Sequence, residues 1–169
     1  ELGKELVVES RTEQLSEEKL AWATSINPKF SVAIGLEAYD DEVLKFHVNK
    51  GFSVKSWDRA VENLNKFGLR VKTYLMFKPP FMSEGDALNH GAKWILDVAE
   101  KSDEISVNPM NIQKGTVIDR LFRNNEYRPP WLWSLVQLIQ DVHYDIHPTN
   151  SGNGAEDQVS RLIIHPTAG

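Results

Sequence analysis

The chain has 169 residues, of which 41% are hydrophobic and 25% are charged, and it contains no cysteine. A chain of this size buries a single core, and its composition is ordinary for a globular protein. The lack of cysteine excludes disulfides, cysteine nucleophiles and thiolate metal ligands within these residues. The net charge of -5 gives no overall attraction to nucleic acid or anionic membranes, so an RNA contact needs a local basic patch.

The sequence also lacks the marks of a membrane or exported protein. No apolar run approaches the roughly 18 to 20 residues that cross a bilayer. The first residues, ELGKELVVES, have neither the basic start nor the apolar centre of a signal peptide, and they begin without Met, as if cut from a longer chain. We therefore expect part of a cytoplasmic protein with no membrane contact.

Hydrophobic patterning predicts an alternation of strands and helices. Strands are predicted at 5–9, 30–38, 69–77 and 105–107. The predicted helices are one capped by Thr12 or Ser16, a short one between Asp40 and Asn49, then 56–67, a long one opened by Ser83, 116–123 and 131–143. Strands at 144–147 and 159–165 are predicted to pair as a hairpin, so residues 144–169 form an extension to a domain of residues 1–143.

Polar residues stand where the predicted strands end. They are Glu9, Glu37, Lys78 and Asn108. In parallel α/β folds the carboxyl ends of the strands collect on one rim, where active sites lie. Four βα units are too few for an eight-stranded barrel, so the chain is either a small open sheet or the back portion of a larger barrel.

Each of these positions has a structural alternative. Glu9 and Arg11 point to the same face, so Glu9 either forms a local ion pair or holds a ligand's ammonium or ribose hydroxyl. Glu37 is either a surface residue or a site residue, and Gly35 before it permits a close approach. Lys50 lies at a helix end, where a cation is expected in any case.

Two further features of the sequence do not point to a single function. The five histidines show no spacing typical of a metal site, so no metal is assigned. The run Tyr127-Arg128-Pro129-Pro130-Trp131-Leu132-Trp133 is unusual. It indicates either core and lid packing or a stacking platform for a base or a cofactor.

Several motifs together resemble a known superfamily. They are VESR ending at Arg11, VAIGLEA ending at Ala38, DDEVL from Asp40 and NKGFS from Asn49. This succession resembles the second half of radical S-adenosylmethionine enzymes, in the style of the elongator catalytic subunit and oxygen-independent coproporphyrinogen oxidase. The motifs KPPF from Lys78, NPMNIQ from Asn108 and YRPPWLWS from Tyr127 look like those of the archaeal radical enzymes of archaeosine synthesis.

The resemblance implies a partial (β/α)6 barrel, of which this chain supplies the C-terminal half. It implies that Glu9 and Lys50 grip the aminoacid end of S-adenosylmethionine and that Glu37 reaches its ribose. The adenosine would be lined by Tyr74 or Met76 together with Asn108 to Met110. Two positions depart from the usual pattern: Glu37 stands where relatives often have Gln, and Lys50 where they often have Arg, which loses bidentate binding of a carboxylate.

The same resemblance implies a [4Fe-4S] cluster, a tRNA substrate and a partner enzyme. The cluster needs thiolates, so its ligands would lie outside this chain, and these residues alone are expected to be inactive. The implied reaction converts a lysine-adducted 7-deazaguanine of tRNA into archaeosine. The alternative is a non-catalytic α/β module that binds tRNA or a protein partner, with the rim charges merely structural.

Overall fold

The computed structural model describes residues 6–146 and 161–164. Its five strands form one sheet in the order β1-β2-β3-β4-β5, and every neighbouring pair is parallel. The strands are β1 Val7–Ser10, β2 Ser31–Glu37, β3 Arg70–Phe77, β4 Glu104–Pro109 and β5 Arg161–Ile164. The strands predicted at 5–9, 30–38, 69–77 and 105–107 correspond to β1 to β4, and the strand predicted at 159–165 contains β5.

Six α-helices connect or flank these strands: α1 Glu17–Ile26, α2 Asp41–Val43, α3 Val54–Lys66, α4 Glu84–Ala99, α5 Val117–Arg123 and α6 Leu132–Ile146. A 3-10 turn at Thr12–Gln14 precedes α1, and a π-helical turn at Leu44–Val48 continues α2. Ser16, Ser53, Ser83 and Thr116 cap their helices by accepting a hydrogen bond from the backbone N–H three residues on. None of the helices in the described ranges is long and apolar enough to cross a membrane.

Helices α3 and α4 lie against the sheet, α1 packs on α3 and α6 packs on α4, and together these four form the helix layer. A parallel sheet whose strands follow in chain order has right-handed crossovers that all return on the same side. Burial shows this directly in β3, where Val71, Leu75 and Phe77 are at most 2% exposed while the alternating Lys72 and Tyr74 are only partly buried. The face of the sheet opposite the helix layer therefore carries the polar residues.

The predicted terminal hairpin is wrong. Residues 144–146 continue α6 instead of forming a strand, because α6 packs on α4 as one continuous helix whose Leu135, Leu138 and Val142 are buried. Strand β5 pairs in parallel with β4, Ile105 standing opposite Leu162, and so needs a crossover that a hairpin cannot provide. Residues 147–160, which hold the rest of the predicted first strand and the loop, lie outside the described residues.

Candidate functional site

The carboxyl ends of the strands enclose two adjoining open cavities. The first measures about 620 Å³, and its lining includes Glu9, Gly35, Glu37, Tyr74 and Asn108. The second measures about 440 Å³ and is lined by Glu37, Met76, Asn108, Met110 and residues of the β4–α5 connection. Because Glu37 and Asn108 line both, the cavities form one groove along the rim. All seven sequence-predicted site residues meet here, since Lys50 contacts Glu37 from the side.

Glu37 owes its orientation to an irregular end of β2. The pairing of β2 with β3 shifts register between Gly35 and Glu37, and Glu37 has a positive φ of 75°. A left-handed residue other than glycine is strained, and such strain is found where the surroundings hold a side chain for function. The Glu37 carboxylate accepts a hydrogen bond from Lys50, with 3.0 Å between Oε1 and Nζ. The irregularity thus aims this charge into the groove.

Gly35 leaves room for that ion pair. A Cβ atom at this position would stand 2.9 Å from Glu37 Oε1 and 3.1 Å from Lys50 Nζ. The close approach predicted at Gly35 is therefore made by the charged ends of two side chains of this same chain. The glycine is needed for the geometry of the site and not for a turn.

Lys50 is held at the end of the π-helical turn. Asn49 adopts the left-handed conformation there, with φ 54°, and the Lys50 N–H donates to the Leu44 carbonyl at 2.9 Å. Arg11 fixes the other side of the backbone by donating from Nη2 to the Lys50 carbonyl at 3.3 Å. Lys50 thus ends its helix, as one interpretation had it, and also directs its ammonium to the groove. Such π turns are frequent at functional sites.

Glu9 contacts Tyr74 across the face of the sheet. The Tyr74 hydroxyl donates to Glu9 Oε1 at 3.3 Å. Arg11 pairs with Glu13 instead, at 2.6 Å between Nε and Oε1, so the local partner considered for Glu9 is engaged elsewhere. Burial raises the pKa of Tyr74, and the negative charge of Glu9 raises it further against the opposing Lys72. The phenol therefore remains a hydrogen-bond donor at neutral pH.

A buried network at the end of β3 was not predicted from the sequence. Lys78 is 7% exposed and has a positive φ of 58°. Its ammonium lies 2.6 Å from Glu84 Oε2 and donates to the Arg128 carbonyl at 2.8 Å. The Tyr127 hydroxyl donates to the Lys78 carbonyl at 2.9 Å, and the Trp131 N–H donates to Glu84 Oε1 at 2.9 Å. This network, which we call the β3 clasp, ties residues 127–131 to the rim.

The aromatic run from Tyr127 to Trp133 combines the two roles considered for it, since one aromatic residue is packed and two are exposed. Tyr127 is 5% exposed and packs in the structure, whereas Trp131 and Trp133 are 67% and 68% exposed. Burial and the charge of Glu84 raise the pKa of Tyr127, so it stays protonated. Partial burial alone would raise the pKa of Glu84, but hydrogen bonds from Lys78 and from the Trp131 N–H lower it overall. Glu84 is therefore a carboxylate at neutral pH.

An ion pair outside both cavities, on the same polar face of the sheet, also escaped the sequence analysis. On the polar face of the sheet, Lys72 pairs with Glu104 at 2.6 Å, next to Tyr74. In the sequence, polar residues alternate with apolar ones along β3 and β4, and this alternation is the pattern that could have identified the polar face. No group of three or more His, Cys, Asp or Glu within residues 6–146 and 161–164 is arranged to hold a metal ion.

Replacing Gly35 by alanine tests whether the ion pair shapes the groove. The new methyl group meets the ends of two flexible side chains, so we expect Gly35→Ala to change the free energy of unfolding little while displacing Glu37 and Lys50. If the groove holds the S-adenosylmethionine that the motif resemblance implies, the affinity of the cluster-loaded, full-length protein for it should weaken about tenfold or more, because an overpacked site shifts its lining. Gly85→Ala, at a position with open space around it, is the control. Unchanged affinity in Gly35→Ala would show that the pair does not shape the binding site.

The chain has named relatives of greater length. No protein-family model matches the sequence. It is 39% identical over 139 residues to archaeosine synthase subunit beta of Methanosarcina acetivorans, an alignment that covers 81% of this chain and 40% of that protein. It is 41% identical over 138 residues to the protein of the same name from Thermococcus kodakarensis, which covers 80% of this chain and 43% of that protein. The chain thus spans about two fifths of these relatives.

Solved structures show the same fold at lower identity. An N-terminally truncated Elp3 from the archaeon Methanocaldococcus infernus superposes with a TM-score of 0.70 and 19% identity, over 95% of this chain and 38% of that one. A radical SAM methyltransferase from Sphaerobacter thermophilus superposes with a TM-score of 0.58 and 11% identity, over 96% of this chain and 40% of that one. The predicted α/β fold class is therefore confirmed. The resemblance in the motifs is confirmed as well: the chain is similar over about four fifths of its length to archaeosine synthase subunit beta and has the fold of Elp3 and radical SAM proteins.

Proposed function

We propose that this chain is part of a radical S-adenosylmethionine enzyme that modifies tRNA, forming archaeosine from a lysine-adducted 7-deazaguanine. The names of the relatives and the fold of the structural neighbours support an association with archaeosine synthesis. The observation that carries the proposal is the convergence of Glu9, Glu37, Lys50, Tyr74 and Asn108 at the carboxyl rim of a parallel sheet. A merely structural set of surface charges has no reason to converge there.

The groove fits S-adenosylmethionine in size and in chemistry. Its larger part, about 620 Å³, lies within the range of cofactor pockets. In the proposal, Glu9 binds the ammonium of the aminoacid group and Lys50 binds its carboxylate. Glu37 is placed for the ribose hydroxyls. Asn108, Met110 and either Tyr74 or Met76 line the adenine, with amide donors and acceptors next to apolar surface.

The ion pair of Lys50 with Glu37 is compatible with this role. A lysine ammonium has three donors, so Lys50 can keep Glu37 and still bind a carboxylate. The pair also holds Lys50 in place before a ligand arrives, which reduces the entropy lost on binding. When bound, S-adenosylmethionine supplies the radical chemistry, and the chain's own residues bind it, orient it and exclude water.

These residues do not fit an iron–sulfur cluster. Such clusters are held by cysteine thiolates, and the chain contains none. We therefore predict that the 169-residue chain, incubated anaerobically with iron and sulfide, shows no cluster absorbance and does not cleave S-adenosylmethionine. A stoichiometric [4Fe-4S] signal from this chain would contradict the prediction, and the longer parent protein treated in the same way is the positive control.

The proposed activity is tested with the full-length protein and its partner subunit. We expect tRNA that carries the lysine-adducted 7-deazaguanine to yield archaeosine, detected by mass spectrometry of the digested nucleosides, together with 5′-deoxyadenosine in equal amount. Unmodified tRNA should yield neither product above background. Failure of the full-length, cluster-loaded protein to form archaeosine would reject the proposal. An upstream reading frame without a CxxxCxxC motif would favour a non-catalytic module instead.

A further inference from the structure

The segment from Asn111 to Trp131, which we call the rim segment, differs in charge from the rest of the chain. It holds four basic residues, Lys114, Arg120, Arg123 and Arg128, against two acidic ones, Asp119 and Glu126. Four positive and two negative charges give a net charge of +2, whereas the whole chain carries -5. All four basic residues are exposed. The rim segment is therefore a locally basic stretch of the kind that contact with RNA would need.

The rim segment lies beside the candidate site. Just before its start, Met110 donates its N–H to the Phe77 carbonyl at 3.0 Å, and Thr116, Val117 and Ile118 of the segment line the second cavity together with Met110. At its end, the β3 clasp binds the Arg128 carbonyl and the Trp131 N–H. Both ends are thus fixed at the carboxyl rim, so anything bound along the segment is placed next to the groove.

Trp131 is presented with its backbone held and its side chain exposed. Its N–H is bound to Glu84, yet the residue remains 67% exposed. Because its backbone is already held, stacking the exposed indole on a base costs only side-chain freedom. Nucleic-acid bases stack on exposed aromatic rings whatever their identity, whereas an apolar protein partner would not call for the basic residues of the same segment. The combination of charge and exposed ring favours RNA over a protein.

We infer that the rim segment binds unpaired nucleotides of the tRNA substrate, an inference that rests on the proposed function. Trp131 stacks on a base, and Arg120 and Arg128 contact phosphates. Arg123 is partly engaged by Asp119, at 2.9 Å between Nε and Oδ1, and is the weaker contact. A nucleotide target that must reach the groove has to leave its base pair, and a stacking residue on the rim stabilises the displaced strand.

The test measures binding of labelled tRNA to the full-length protein by fluorescence anisotropy at several salt concentrations. Trp131→Ala should weaken binding about tenfold to a hundredfold, because the loss of one stacked base lowers an affinity by roughly one to two powers of ten. Trp131→Phe should restore much of the affinity. The plot of log affinity against log salt has a negative slope, and the double change Arg120→Gln with Arg128→Gln should make that slope less steep by about 1.5, since each lost phosphate contact removes roughly 0.7 to 0.9.

Matched controls come from the helix layer. Trp22 on α1 is 69% exposed and Arg59 on α3 is exposed, so Trp22→Ala and Arg59→Gln should leave tRNA affinity and salt slope unchanged. Wild-type tRNA affinity and slope in the rim variants would overturn the inference, and so would variants that lose the partner subunit but keep tRNA. S-adenosylmethionine affinity should stay at the wild-type value in all of them. Failure of the proposed function is distinguishable, because it would leave tRNA binding intact and archaeosine absent in the wild type.

Discussion

Replacing Glu84 by methionine is expected to be the most destabilising single change at the rim. It leaves the Lys78 ammonium, whose side chain is 8% exposed, without its carboxylate partner. Removing one member of a buried ion pair costs about 3 to 5 kcal/mol, because the remaining charge cannot return to water. Lys78→Met should cost less, about 2 kcal/mol, since the Glu84 side chain is 31% exposed and remains partly hydrated. Urea titration measures the free energy of unfolding of each variant.

A double-mutant cycle separates the charge pair from the packing around it. Lys78→Met combined with Glu84→Met removes both charges, so its cost should fall well below the sum of the single changes. The surface pair of Lys66 with Glu17, each side chain 59% exposed, is the matched control, and Glu17→Met should cost less than about 1 kcal/mol. Amide exchange at Trp131 should accelerate in Glu84→Met, because its N–H loses its acceptor. Additive costs at Lys78 and Glu84 would show that the β3 clasp is not a coupled unit.

The same pair has a defined pH dependence. Hydrogen bonds lower the pKa of Glu84 in the folded protein, so its contribution to stability is complete above its unfolded pKa of about 4.3. That contribution is lost as the pH falls through the lower folded pKa. Glu84→Met should therefore weaken the loss of stability on acidification below about pH 4.3. If Glu84→Met lost stability below about pH 4.3 as steeply as the wild type, other carboxylates would be responsible for that pH dependence.

The architecture was predictable because its signals are local. Alternation of apolar runs with capped amphipathic segments predicts βα units, and Ser16 and Ser83 cap their helices as expected. The end of the chain was not predictable in the same way, because Tyr144 and Ile146 alternate as they would in a strand. Only the packing of α6 on α4 and the parallel pairing of β5 with β4 decide for a helix.

The shared rim position of the candidate residues was predictable from the sequence, and their contacts were not. Strand-end position placed Glu9, Glu37 and Asn108 together, since parallel strands share one rim. The contact of Lys50 with Glu37 depends on a register shift and a π-helical turn, and no pattern of residues in the sequence predicts either one. The β3 clasp joins Lys78 to Arg128, fifty positions apart in the chain. Such contacts follow from the tertiary fold, so the sequence analysis found the charges without their partners.

The cofactor proposal makes its strongest prediction at Glu9 and Lys50. A charged hydrogen bond contributes about 1.5 to 3 kcal/mol, and about 1.4 kcal/mol changes an affinity tenfold. Glu9→Gln and Lys50→Met should each weaken S-adenosylmethionine binding by roughly one to two powers of ten, measured by calorimetry on the cluster-loaded, full-length protein. Glu9→Gln keeps an oxygen that can accept from Tyr74, so its effect on stability should be small.

A change of charge alone must be separated from damage to the site. Lys50→Met leaves the Glu37 carboxylate, whose side chain is 21% exposed, without its ammonium partner. Some loss of stability is therefore expected together with the loss of affinity. Lys50→Arg retains the cation and adds a bidentate donor, and it should bind the cofactor at least as well as the wild type. Lys45→Met, at an exposed position of the π-helical turn, should leave the affinity unchanged. If Glu9→Gln and Lys50→Met also bind normally, Lys50 serves to end its helix and to pair with Glu37, and the aminoacid group must bind elsewhere.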